Sequence, residues 1–77
     1  MTAGPETVEV APGPRSIAQL FLDAGLVSSK SEARRLAGQK GLTVNGQPVG
    51  SAEDKIDPAD GMVLQRGLHR VALLKLS

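Results

Sequence analysis

The sequence predicts an α+β domain: two helices followed by a small, mostly antiparallel β-sheet. Three observations predict it. Apolar residues recur at helical spacing over residues 16–25 and again over 29–39. The hydrophobic period then changes from 3.6 to two, and Asn45-Gly46 supplies a hairpin turn between the first short strands. With 77 residues the chain has room for one domain, and 40% hydrophobic with 22% charged residues suits a small folded globule rather than a disordered tail. Its one aromatic residue, Phe21, leaves an aliphatic core of Leu, Val, Ile and Ala.

Residues 1–14 carry three of the five prolines and show no helical periodicity. They are expected to be a flexible linker, with a short extended stretch at residues 7–10, ahead of a domain over residues 15–77. Such a start suits a domain belonging to a longer protein, or an ordinary frayed terminus. Ser16 is placed to cap the first helix, whose stripe is Ile17, Leu20, Phe21 and Ala24, and Gly25 is placed to end it. Leu26 and Val27 link back into the core.

The second helix opens on Ser29-Lys30-Ser31-Glu32, a capping box in which the Ser29 hydroxyl accepts from the Glu32 N–H and the Glu32 carboxylate bonds back to Ser29. Ala33, Leu36 and Ala37 form its buried stripe. It should end near Gln39, with Gly38 or Gly41 at the exit. Residues 42–44 and 47–49 flank the turn, and Pro48, which has no N–H to donate, makes its strand short or places it at an edge. Residues 50–61 read as a polar connection with Ile56 as the anchor into the core. Residues 62–66 and 70–76 form the closing strand pair around Gly67.

Composition removes several function classes. The absence of cysteine excludes disulfides, thiolate metal sites and a cysteine nucleophile, and one histidine cannot make a histidine-rich zinc site. The longest apolar run, residues 71–74, is far short of the roughly 20 residues that span a bilayer. The acidic start is unlike a signal or transit peptide. His69 has no nucleophile set beside it by any motif and reads as a solvated turn residue or a phosphate contact. Asp54, Asp57 and Asp60 are spaced by three rather than two, Pro58 interrupts them and no glutamate closes the set, so a solvated loop is expected rather than a calcium site. The glycines match neither phosphate-binding signature. No catalytic residue, metal or cofactor is expected within the chain.

Charge is more informative. The formal net charge is only +1, but residues 30–40 hold Lys30, Arg34, Arg35 and Lys40 against Glu32. Residues 51–60 hold Glu53, Asp54, Asp57 and Asp60 against Lys55, and the tail is basic again with Arg66, Arg70 and Lys75. On composition the cationic helix face reads equally as a phosphate-binding surface or as a solvated face balanced by Glu32. With no Tyr or Trp, and Phe21 on the apolar stripe, stacking on single-stranded bases is disfavoured. A nucleic-acid partner would be gripped by backbone and shape.

Residues 28–46, SSKSEARRLAGQKGLTVNG, resemble the alpha-L RNA-binding domain, the family named after ribosomal protein S-four. The resemblance covers about residues 15–77, and the run 29–36 with Val44-Asn45-Gly46 carries it. Within that family the chain is similar to the C-terminal domains of bacterial tyrosyl-tRNA synthetases, through Arg34-Arg35-Leu36, the basic ending at Arg66-Gly67, and a domain that follows a linker. This resemblance implies a cytoplasmic tRNA-binding module that holds tRNA(Tyr) near its variable arm and anticodon stem. It also implies a homodimeric parent whose separate catalytic domain uses ATP and magnesium. Carried over by position, the implied RNA contacts are Lys30, Ser31, Arg34 and Arg35, with Lys40 adding charge at the helix exit. Arg66, His69 and Arg70 rank second. Two departures are visible: Lys40 stands where the family often has a first glycine of a pair, and Leu68 and His69 replace cations of the closing hairpin. The alternatives are the corresponding domain of an rRNA pseudouridine synthase or of a ribosome-binding heat-shock protein, and a protein-interaction module using an edge strand.

Overall fold

Both serines expected to start helices do so. In the computed structural model, which describes residues 6–67 and 70–77, the Ser16 side chain accepts from the Gln19 N–H at the start of α1 (Ile17–Asp23). Ser29 accepts from the Glu32 N–H at 3.1 Å at the start of α2 (Lys30–Gly38). Gly25 follows the α1 cap with φ +76°, the left-handed geometry that a helix exit favours. The α2 exit differs from expectation. Lys40 takes the left-handed position at φ 58°, the Lys40 N–H bonds the Ala37 carbonyl at 3.1 Å, and the Gly41 N–H bonds the Leu36 carbonyl at 2.7 Å. That bond pair is a Schellman exit with lysine in the place glycine usually fills, and Gly41 is needed one step later. A Cβ on Gly41 would lie 3.3 Å from the Leu36 carbonyl oxygen.

The strands are β1 (Glu6–Val10), β2 (Arg15–Ser16), β3 (Leu42–Val44), β4 (Gln47–Pro48), β5 (Lys55–Ile56), β6 (Val63–Arg66) and β7 (Arg70–Leu76). Five of them form a sheet ordered β1-β7-β6-β3-β4. Asn45 and Gly46 both have positive φ, as a type I′ turn requires, and Pro48 lies on the two-residue edge strand β4. Asn45 does more than turn. Its backbone N–H bonds the Val63 carbonyl and its Oδ1 accepts from the Val63 N–H at 2.9 Å, extending the β3–β6 ladder by one step.

Two expectations are corrected. The linker expected over residues 1–14 contains β1, which pairs parallel with β7 from Glu6↔Ala72 to Val10↔Leu76. Val10 is buried and Val8 packs against the core, so alternation over this short stretch gives an inward-facing strand. Arg15 then ties down residues 11–13: its guanidinium bonds the Ala11 and Gly13 carbonyls and pairs with Asp23 on α1 at 2.8 Å. Residues 1–5 lie outside the described residues. The polar connection 50–61 is also more structured than expected. The Ile17 and Ala18 N–H groups, orphan donors of the first α1 turn, bond the Asp54 and Ala52 carbonyls, and β5 pairs with β2. Ala52 and Pro58 are buried, whereas Ile56, the expected anchor, is half-buried. Asp60 is not merely solvated, because its Oδ1 accepts from the Leu76 N–H at 2.9 Å.

The helices cover one face of the sheet. Leu20, Phe21, Leu42, Leu64 and Leu74 are the large side chains fully enclosed between the layers, with Ala33 and Ala37 letting α2 approach closely. No described helix is long and apolar enough to cross a membrane.

Candidate nucleic-acid interface

The α2 sequence sorts its side chains by angle. Ala33 and Ala37 are buried and Leu36 packs on the core, while Lys30, Ser31, Arg34 and Arg35 are all exposed. At helical spacing those four fall within an arc of about 140°. The packed face thus fixes the direction of the charged one. Lys40, also exposed, stands past the end of the helix rather than on this arc.

The two arginines lie toward different neighbours. Arg34 Nε is 3.7 Å from Glu53 Oε2, both side chains being largely in solvent. Beside them lies a shallow cleft of about 250 Å³, lined by Arg34, Ala37, Gly38, Ser51 and Glu53 among others. Such an exposed pair contributes little to stability. Arg35 instead lies near enough to Glu32 to act on its charge.

Glu32 is the junction between helix and sheet. Its Oε1 accepts from the Ser28 N–H at 2.8 Å, so the box closes on Ser28 and not on Ser29 as expected. Glu32 Oε2 lies 3.6 Å from the Arg66 guanidinium. The Ser28 backbone hydrogen bond foremost, with smaller help from Arg66, the Ser28 hydroxyl and Arg35, holds the Glu32 carboxyl below the usual carboxylate range; partial burial opposes this.

Arg66 and Arg70 are cross-strand partners at the turn end of the β6–β7 pair. Two steps inward the same register sets Leu64 against Ala72, both buried, so the arginines share the face that the helices cover. Arg70 donates to the Gly25 carbonyl at 3.3 Å. Of the residues singled out from sequence, the structure sets Arg66 and Arg70 opposite each other beside the helical layer, and Lys30, Ser31, Arg34 and Arg35 on the exposed arc of α2. It sets Lys40 apart, and His69 lies outside the described residues. Sequence reasoning missed Glu32 as the partner of Arg66, and the Gly25 carbonyl as that of Arg70. One signal was available: arginines at 66 and 70 flank a three-residue turn and so must face each other. Phe21 is fully buried, leaving no Phe, Tyr or Trp ring on the surface for a base to stack on.

Comparison with known proteins agrees with this architecture. A family model described as the S4 domain matches residues 17–61, from the start of α1 through the connection that packs on it. A tyrosine–tRNA ligase of Syntrophotalea carbinolica is 38% identical over 71 residues, which is 92% of this chain and 17% of that protein. The tyrosine–tRNA ligase of Leifsonia xyli subsp. xyli is 42% identical over 72 residues, covering 88% of this chain and 16% of that protein. That of Clostridium kluyveri is 49% identical over 41 residues, 53% of this chain and 10% of the other. The chain thus spans about a sixth of the length of the first two relatives. On the matched two-helix-and-strand core and its extent, this chain belongs to the S4 domain family.

Proposed function

We propose that this domain is a non-catalytic RNA-binding module that holds tRNA for an enzyme on the same polypeptide. In its finer form the reading is tRNA(Tyr), held by the variable arm and anticodon stem and presented for aminoacylation. The observation that carries it is the exposed arc of Lys30, Ser31, Arg34 and Arg35 on a helix whose opposite face is locked into the core. Guanidinium forks suit phosphate oxygens, and a surface without Phe, Tyr or Trp favours a grip on backbone and shape over base stacking. Arg66, Arg70 and Lys40 extend the charge, and His69 belongs to the same proposal by its place in the closing hairpin. The similar proteins, tyrosine–tRNA ligases, supply the substrate class. ATP and magnesium belong, in this reading, to a catalytic domain outside the chain, which in a cytoplasmic homodimer would meet the same tRNA. Tethering makes weak binding sufficient, because a second linked site raises effective concentration.

A fluorescence titration with bacterial tyrosine tRNA, and with a transcript lacking the variable arm, tests this. About four neutralised phosphates give a slope of roughly −3 to −4 for log affinity against log salt, and R34A/R35A makes it shallower by about two. Weaker binding without the arm supports the finer reading. Equal binding to both transcripts leaves a general RNA binder. Unchanged binding by R34A/R35A rules out the α2 arc as the contact.

A further inference from the structure

Arg66 and Arg70 present an energetic puzzle. Like charges directly opposite on paired strands repel, and these two stand opposite each other at the turn end of the register, on the sheet face that the helices cover, Arg66 half-buried and Arg70 exposed. Each is met by an acceptor from the helical layer: Glu32 Oε2 at 3.6 Å from Arg66, and the Gly25 carbonyl at 3.3 Å from Arg70. The Arg66 and Glu32 side chains are 33% and 21% exposed, so this pair is more sheltered than Arg34 and Glu53 at 58% and 73%. Glu32 is itself fixed by the 2.8 Å bond from the Ser28 N–H. The carboxylate is therefore held at the start of α2 by one oxygen, and its other oxygen faces the Arg66 guanidinium.

We propose that Glu32 is a positioning residue for RNA: it anchors Arg66 so that the Arg66–Arg70 pair presents two guanidiniums in fixed relation to the α2 arc, matched to the phosphate spacing of a folded stem. The inference rests on the RNA-binding reading above and adds to it a source of selectivity for RNA shape. A rigid set of cations favours a helix whose phosphates are already ordered, whereas free arginines serve any flexible strand about equally well. Removing Glu32's charge should raise attraction to every RNA somewhat, so affinity alone is a poor readout. The ratio of stem-loop to single-stranded affinity cancels that uniform gain.

The test is a double-mutant cycle on the whole 77-residue chain, titrated with a stem-loop RNA and an unstructured RNA of equal length. E32Q keeps an oxygen that can accept from the Ser28 N–H, and a thermal melt confirms its fold. E32Q and R66A should each lower the stem-to-single-strand ratio by roughly three- to tenfold, and the double variant should fall no further than either alone. R66K, which retains charge but loses the planar fork, should lower the ratio as well, and it serves if E32Q does not fold. A ratio untouched by E32Q, or falls that multiply in the double variant, overturns the inference while leaving RNA binding intact. Failure of the unaltered domain to bind either RNA at low salt overturns the RNA-binding reading, and this inference with it.

Discussion

Lys40 shows how one residue departs from its local geometry. The α2 exit needs a left-handed residue, and a side chain there crowds its own backbone, a strain of about 1–2 kcal/mol that glycine avoids. Lys40 is exposed and makes no hydrogen bond through its side chain among the described residues, so nothing there offsets the strain. K40G should raise the urea midpoint at unchanged m-value, a gain in unfolding free energy of about 0.5–1 kcal/mol after the extra freedom of glycine in the unfolded chain is counted. A lower midpoint would show that the lysine stem contributes packing that its exposure hides. The sequence displayed both glycines near this exit but not which residue would turn, because that depends on where the last intrahelical bond closes. Asn45-Gly46 was legible for the opposite reason: two adjacent residues that tolerate positive φ, between strands of period two, leave one turn type.

Among the elements, α2 was the most legible and its electrostatics the least. The cap serine, the alanine stripe and the exposed cations all follow from residue type and 100° spacing. Glu32's true partners do not, since Ser28 precedes the cap and Arg66 lies in another layer. Two substitutions separate the parts of this helix start. S29A removes the hydroxyl that accepts from the Glu32 N–H and should cost about 1 kcal/mol at any pH. Glu32 should act only where it is ionised. Its folded pKa lies below its unfolded value, so its contribution is complete above the unfolded carboxylate value, about 4.3, and is lost as pH falls through the folded value. The stability gap between the unaltered chain and E32Q, followed by denaturant melts from pH 6 downward, should therefore narrow in acid. The S29A gap should not narrow with it. A gap for E32Q that stays constant with pH would show that ionisation of Glu32 adds nothing to stability.

For the whole molecule the decisive element is the strand that composition disguised. Prolines and glycines around residues 4–14 argue for a linker, and although residues 7–10 read as extended, nothing local names a partner strand 66 positions away. Parallel pairing needs no turn between the strands, so no hairpin signal exists to find. Only the alternation of Val8 and Val10 was there to read. The consequence is large for a chain this small. The β1 strand covers the outer edge of β7, buries Val10 and bonds the Ser77 N–H through the Val10 carbonyl at 3.0 Å, while Arg15 fastens the following turn to α1. A fully buried valine contributes about 1.5–3 kcal/mol, and a core of this size rarely exceeds about 3–5 kcal/mol in total. Deleting residues 1–10 should therefore remove most of the stability, lower the urea midpoint by half or more, and strip hydrogen-exchange protection from β7 before β3. V10A in the intact chain should lose about 2 kcal/mol by the same contact. A linker predicts the reverse: deletion leaves the midpoint and the β7 protection where they were. Because β7 begins at Arg70, a loosened β7 would also free the cation paired with Arg66, so the deletion should relax RNA selectivity as E32Q does. Domain stability and the proposed RNA grip would then fail together, through one strand.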